Sequence, residues 1–93
     1  MEVTLKLGPP YNELADADTI TLSINAEERI AVVEVLEQIQ FQFPLFYKNM
    51  LQHKLLKNNI PYAIIVCERK LINENAVINA NAELLLFHPM SGG

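Results

Sequence analysis

Two segments of the chain alternate strictly between apolar and polar residues. In Glu2–Leu7 the apolar positions are 3, 5 and 7, and in Thr19–Ile24 they are 20, 22 and 24. A period of two with one polar side is typical of a strand that is buried on one face only. Gly8-Pro9-Pro10 follows the first segment and favours a loop. The pattern therefore predicts two half-buried strands joined as a wide hairpin.

The apolar spacing then changes to three and four residues, which indicates helix. Asn25 fits a helix N-cap with Glu28 as its capping-box partner, and the apolar positions that follow are 32, 35, 36, 39 and 43. These features predict an amphipathic helix over Ala26–Gln42, which Pro44 ends. A shorter second helix is predicted over Leu45–Lys57, with its core side at positions 47, 50, 51 and 55.

The last third of the chain returns to strand patterns. Tyr62–Cys67 is continuously apolar and β-branched, which predicts a strand covered on both faces, and Leu71-Ile72 predicts a small strand. Asn73–Asn75 and Asn79–Asn81 are predicted turns, because asparagine tolerates positive φ. The last strand is predicted over Glu83–His88.

Pro89 breaks the last strand and leaves four residues as a tail. The predicted order is strand, strand, helix, short helix, strand, small strand, strand. One long helix cannot cover both faces of a sheet, so this order predicts an α+β domain of the β-grasp kind. Its main helix packs across one face of a mixed sheet, with a short second helix beside it. Residues 1–89 form the predicted domain and residues 90–93 a flexible tail.

Composition narrows the class of protein. The 93 residues are 51% hydrophobic and 19% charged, with a net charge of −4, which predicts one globular domain and argues against nucleic acid as a partner. No apolar run approaches the roughly 18 residues that span a bilayer, and Met1-Glu2-Val3 does not begin a secretory signal. We therefore expect a cytoplasmic protein with no membrane partner.

Candidate catalytic side chains are sparse. Cys67 is the single cysteine, so an internal disulfide and a thiolate metal cluster are excluded, and it is expected to be a small buried hydrophobe. His53 and His88 have no cysteine or acidic pair at ligand spacing and are expected to be solvated and at the edge of the sheet, respectively. Gly8 stands alone, so no phosphate-binding loop is predicted. The domain itself therefore predicts no active site and no metal site.

The tail has the chemistry that the domain lacks. Met90-Ser91-Gly92-Gly93 follows a strand and a stiffening proline, and its two glycines have no Cβ, so the main chain can enter a narrow channel. Four extended residues reach roughly 13 Å. A terminal carboxylate reacts once ATP has converted it to an acyl-adenylate. A sulfur nucleophile then yields a thiocarboxylate, whereas a lysine amine yields an isopeptide.

The segment Leu84–Gly93, with the sequence LLLFHPMSGG, resembles the end of the MoaD/ThiS sulfur-carrier family of ubiquitin-like β-grasp proteins. It is most similar to the small subunit of molybdopterin synthase. The resemblance implies a protein co-substrate rather than an enzyme, with no bound cofactor. A MoeB-like enzyme would use ATP to adenylate Gly93, and a sulfurtransferase would supply the sulfur of the thiocarboxylate. The tail would donate that sulfur in the MoaE-like large synthase subunit, to build the molybdenum or tungsten cofactor.

The same resemblance implies roles for the residues around Gly93. Phe87 would anchor the base of the tail, while Pro89, Met90, Ser91 and Gly92 would contact the partner. Apolar residues on the strand face near the tail would form the rest of the interface. Three alternatives stay open: a ubiquitin-like modifier conjugated through Gly93, a thiamine-type sulfur carrier, and a β-grasp interaction domain without catalytic chemistry.

Overall fold

A computed structural model describes residues 1–79 and 81–89 of the chain. Its helices are α1 Tyr11–Ala15, α2 Val32–Glu37, α3 Ile39–Gln42 and α4 Pro44–Gln52. Its strands are β1 Glu2–Leu7, β2 Thr19–Ser23, β3 Arg29–Ala31, β4 Leu56–Lys57, β5 Ile60–Pro61, β6 Ile64–Cys67, β7 Lys70–Ile72, β8 Val77–Asn79 and β9 Glu83–Phe87. No helix in these two ranges is long and apolar enough to cross a bilayer.

Five strands form one mixed sheet in the order β2-β1-β9-β6-β7. Strand β1 pairs antiparallel with β2 and parallel with β9, and β9 pairs antiparallel with β6. The predicted hairpin of the first two strands is confirmed, since positions 3, 5, 7, 20, 22 and 24 are all buried. Strand β9 is thus the middle strand of the sheet, with hydrogen-bonded neighbours on both sides.

The helices pack against one face of this sheet and close the core. Val32, Val35, Leu36 and Ile39 are at most 1% exposed, as the three- and four-residue spacing predicts. Leu84 and Leu86 of β9 are fully buried and face them in the same core cluster. The opposite sides of β1 and β2 carry polar residues. The predicted α+β architecture, with helices on one face of a mixed sheet, is therefore confirmed.

The predicted start of the main helix is wrong. Helix α2 begins at Val32 rather than Ala26, and no side chain caps it. Residues 29–31 form β3, which pairs with the distant β8. The N–H groups of Val32 and Val33 donate to the carbonyls of Ala76 and Glu74, both at 2.8 Å. Backbone carbonyls of a remote turn therefore take the place of the predicted capping box at Asn25.

The second helix is shorter than predicted. It ends at Gln52, and two residues later Lys54 adopts a φ of 58°. The Leu55 N–H then donates to the Met50 carbonyl at 2.9 Å and the Lys54 N–H to the Leu51 carbonyl at 3.1 Å, which is a Schellman C-cap. Leu51, predicted to face the core, is 58% exposed. Met50 is fully buried, as predicted, and the other buried position of α4 is Phe46, which the prediction missed.

The strands of the last third lie close to their predicted positions, but one of them is less buried than predicted. Strand β6 buries only Ile65, so its second face is open rather than covered. Glu68 and Arg69 both have positive φ and turn the chain directly into β7, which is the geometry of a two-residue hairpin of type I′. Asn81 has a φ of 62°, as expected for asparagine in the predicted turn. Strand β9 ends at Phe87, one residue before the predicted end.

Candidate functional site

The end of β9 is the place where the predicted tail leaves the domain. Leu86 lies in register with Leu7 of β1 on one side, and Phe87 with Ile64 of β6 on the other. Because β9 has a paired neighbour on both sides up to Leu86, and on the β6 side at Phe87 as well, the chain leaves from the interior of the sheet. Its point of departure is therefore fixed by two ladders of hydrogen bonds.

Two of the predicted site residues are in the described part of the chain. Phe87 is half-buried at the last position of β9, and Pro89 is half-buried two residues later. The other four lie outside the described residues, namely Met90, Ser91, Gly92 and Gly93. The roles that the resemblance implies for all six stay predictions.

Gly8 packs so closely against the end of β9 that a side chain at this position would crowd Phe87. Its N–H donates to the Leu86 carbonyl at 2.8 Å. A Cβ added at Gly8 would lie 3.0 Å from the Cβ of Phe87 and 3.3 Å from the Leu86 carbonyl oxygen. From sequence, Gly8 was predicted to open the loop after the first strand and was excluded as part of a phosphate-binding loop, but this packing role was missed. The signal was present, because a lone internal glycine directly after a strand often marks a close approach of backbone.

Three aromatic side chains meet beside this exit and form what we call the root cluster: Tyr11, Tyr62 and His88. The His88 ring centroid is 6.3 Å from that of Tyr11 and 6.0 Å from that of Tyr62. The ring of Tyr62 stands nearly perpendicular to that of His88, at 77°. Both distances lie in the range of favourable aromatic pairs. His88 was predicted to lie at the end of the last strand and at the edge of the sheet. It does follow the last strand, but β9 is the middle strand of the sheet, and the His88 ring has two aromatic neighbours.

Tyr11 connects the root cluster to the core. Its side chain is fully buried, and its hydroxyl donates a hydrogen bond to the backbone carbonyl of Tyr62. Burial, reinforced by the neighbouring Tyr62, raises the pKa of Tyr11 to about 12, so the hydroxyl keeps its proton and remains a donor. Tyr62 is 46% exposed, and the Lys57 ammonium lies 5.7 Å from its ring centroid.

An apolar surface covers the open side of the sheet next to the exit. We call it the apolar face; it consists of cross-strand neighbours on β6, β7 and β9, namely Ile64, Val66, Leu71, Leu85 and Phe87. Leu71 is 75% exposed and Leu85 38% exposed. Charged groups border this face, among them the exposed ion pair between Lys6 and Glu83 at 3.0 Å. Exposed apolar side chains grouped beside polar ones are typical of a protein-binding surface.

The titratable groups form no second site in the described ranges. No three side chains of histidine, cysteine, aspartate or glutamate are grouped closely enough there to hold a metal ion. His53 is exposed, and its Nδ1 lies 2.9 Å from the Asn49 carbonyl oxygen. Cys67 is half-buried rather than fully buried, and burial together with Glu68 raises the pKa of its thiol. A raised pKa makes this thiol a poor nucleophile at neutral pH.

Comparison with solved structures identifies the architecture. The chain superposes over its whole length on the whole of small archaeal modifier protein 1 from Haloferax volcanii, with a TM-score of 0.74 at 19% identity. The chain has the ubiquitin-like β-grasp fold. The expectation drawn from the resemblance to the sulfur carriers is confirmed at the level of the fold.

Two further structures share this fold. Small archaeal modifier protein 1 from Methanosarcina acetivorans is 21% identical and matches 99% of this chain and 96% of its own, with a TM-score of 0.67. A candidate molybdopterin converting factor, subunit 1, from Pyrococcus furiosus is 14% identical and matches 96% and 98%, with a TM-score of 0.65. The chain matches no protein-family model and none of the curated proteins.

Proposed function

We propose that this protein is a sulfur carrier of molybdopterin-type cofactor synthesis, and that it acts as the small subunit of molybdopterin synthase. Gly93 carries the terminal carboxylate, which is adenylated and then converted to a thiocarboxylate. The observation that carries the proposal is the exit of β9 from the interior of the sheet, directly beside the apolar face. A partner that docks on this face receives residues 90–93 at a fixed place.

The chemistry at Gly93 needs enzymes that this chain does not contain. A carboxylate oxygen attacks the α-phosphorus of ATP and releases pyrophosphate, which leaves an acyl-adenylate. Hydrosulfide attacks the acyl carbon and expels AMP, so that one carboxylate oxygen is replaced by sulfur. Where the persulfide of a sulfurtransferase attacks instead, a second thiol must reduce the acyl persulfide to release the thiocarboxylate. The MoeB-like enzyme therefore uses the ATP, and the carrier binds none itself.

The sequence of the tail suits this transfer. Gly92 and Gly93 have no side chain, so the acyl carbon is unhindered and the backbone fits a narrow channel. Pro89 limits the backbone at the base of the tail, while Met90 and Ser91 contact the walls of the partner's channel. Phe87 belongs both to β9 and to the apolar face, and so it joins the docking surface to the tail. The MoaE-like large subunit is the proposed final acceptor.

A second candidate function is conjugation to other proteins. Two of the similar structures are of small archaeal modifier proteins, and this supports a ubiquitin-like modifier joined through Gly93 to lysines of its targets. Both functions begin with the same acyl-adenylate and differ in the nucleophile that follows. The thiamine-type carrier differs from our main proposal only in the acceptor of the sulfur.

The intact mass of the protein tests these functions directly. The purified chain is incubated with ATP, a MoeB-like adenylating enzyme and sodium sulfide, and is then analysed by mass spectrometry. We expect a gain equal to one sulfur minus one oxygen. The matched controls lack the last two residues or carry one added alanine, and neither should gain mass. Lysine-linked adducts in cell extract would favour the modifier, and an unchanged mass in every reaction would refute the proposal.

A further inference from the structure

The root cluster joins three parts of the chain that are distant in sequence. Tyr11 begins α1, Tyr62 precedes β6, and His88 follows β9. The hydroxyl of Tyr11 is bonded to the backbone of Tyr62, and the His88 ring contacts the rings of both tyrosines. The residue that directly follows β9 is therefore attached to the domain on two sides.

The position of His88 gives these contacts a consequence beyond stability. His88 lies between the last residue of β9 and Pro89, so its backbone sets the direction in which the chain continues. The pairing of a β-strand fixes the position of its last residue, but it does not fix the direction in which the following residues continue. At this exit, the ring contacts of His88 supply the second constraint.

Tyr11 is a firm base for that constraint. It is fully buried, and its hydroxyl is engaged with a backbone carbonyl rather than with a mobile side chain. The N–H of Tyr11 donates to the carbonyl of Gly8 at 2.9 Å, and the N–H of Gly8 donates to Leu86 of β9 at 2.8 Å. These hydrogen bonds connect Tyr11 through Gly8 to β9, so the loop that carries Tyr11 is itself attached to the last strand.

We infer that the root cluster of Tyr11, Tyr62 and His88 is a positioning site that sets the direction of the chain after β9. In doing so it determines how often Gly93 reaches the reacting atoms of the enzyme that loads it. The inference rests on the proposed function for its kinetic consequence. The geometric part, an ordered exit held by His88, is independent of that function.

A positioning role and a merely stabilising role predict different kinetics. If docking depends on the apolar face, removal of the His88 ring leaves the KM for the carrier unchanged. The kcat falls, because productive geometry at the reacting atoms is reached less often, and small misplacements of reacting groups are costly. If the ring were merely stabilising, its removal would lower the unfolding midpoint and leave the kinetics of the folded fraction unaltered.

The test compares four variants of the full chain: His88→Ala, His88→Phe, Tyr62→Ala and, as the matched control, His53→Ala. His53 is the other histidine; it is exposed and directly follows the last residue of α4. We measure steady-state loading with the MoeB-like enzyme, ATP and sodium sulfide. We also measure ¹⁵N-relaxation order parameters for the backbone amides at positions 87 and 88, in the parent chain and in each variant.

We expect His88→Ala and Tyr62→Ala to lower kcat about tenfold at unchanged KM, as expected for misplaced reacting groups. Their order parameters at residues 87 and 88 should fall below the rigid value of about 0.85. His88→Phe keeps a ring and should restore most of both, and His53→Ala should match the parent protein. Folded His88→Ala and Tyr62→Ala with unchanged order parameters and kcat would overturn the inference. Failure of the parent chain to be loaded counts against the proposed function alone, because the order parameters still decide the positioning role.

Discussion

Replacement of Gly8 by alanine tests how closely the β1–α1 connection fits the end of β9. The new Cβ would lie 3.0 Å from the Cβ of Phe87, whereas carbon atoms pack at about 3.5–4.0 Å. The neighbours must therefore separate by a few tenths of an ångström, at a site where β9 is hydrogen-bonded on both sides. Gly8 does not have the positive φ that favours glycine, so within the folded state the effect comes from this contact alone.

The magnitude follows from two opposing effects. Overpacking at an ordered site costs about 1–3 kcal/mol, while alanine restricts the unfolded chain and returns about 0.4–1 kcal/mol. We expect the free energy of unfolding to fall by about 1–2 kcal/mol. For a domain of this size each kcal/mol corresponds to a decrease in Tm of about 4–8 °C.

Urea unfolding followed by circular dichroism measures this loss, and amide chemical shifts locate it. Shift changes should be largest at residues 86–88. A double-mutant cycle with Phe87→Gly, which removes the opposing Cβ, should show a favourable coupling energy. An alanine variant as stable as the parent, with unchanged shifts at the end of β9, would show that the contact at Gly8 is not constrained.

Three further substitutions test other parts of the structure. Lys54→Gly should raise the free energy of unfolding by about 1 kcal/mol in urea titrations, because Lys54 is in the left-handed region at the end of α4. Tyr11→Phe should lower it by about 1–2 kcal/mol, because the Tyr62 carbonyl loses its donor; an unchanged midpoint would contradict the buried hydrogen bond. Because folding raises the pKa of Tyr11 from 10.0 to about 12, its contribution is complete below pH 10 and is lost as pH rises towards 12, a loss that Tyr11→Phe should not show. Leu71→Glu should weaken binding of the MoeB-like enzyme in calorimetric titrations, whereas Leu51→Glu, an exposed leucine on α4, should not; equal binding by both would exclude the apolar face as the docking surface.

The proposed function and the root cluster depend on different observations. The function depends on the chemistry of residues 90–93 together with the place where β9 ends. The root cluster depends on ring contacts among described residues. If a chain with a disordered exit were loaded normally, the inference about the root cluster would fail and the proposed function would stand. If the exit were ordered but no enzyme loaded the chain, the proposed function would fail and the ordered exit would stand.

Sequence alone determined the features that depend on local periodicity and on composition. The alternation in Glu2–Leu7 and Thr19–Ile24 predicted which side chains are buried, because a strand has a period of two whatever its partners are. The helical spacing also predicted a buried stripe, because a helix brings residues three and four apart to one side whatever its partners are. The residues of that stripe are Val32, Val35, Leu36 and Ile39. The proposed chemistry of the tail could also be inferred from sequence, because it depends on residues that have no side chain rather than on any tertiary contact.

Tertiary structure decided the features that arise from contacts between distant segments. Residues 29–31 were predicted to be helical, yet they form a strand that pairs with residues 77–79. The N–H groups that begin α2 donate to the carbonyls of residues 74 and 76. No local pattern encodes such a partner. The same holds for the hydroxyl of Tyr11 on the Tyr62 carbonyl, the approach of Gly8 to Phe87 and the open second face of β6. Each depends on the distance between elements after folding, which the spacing of residues along the chain does not specify.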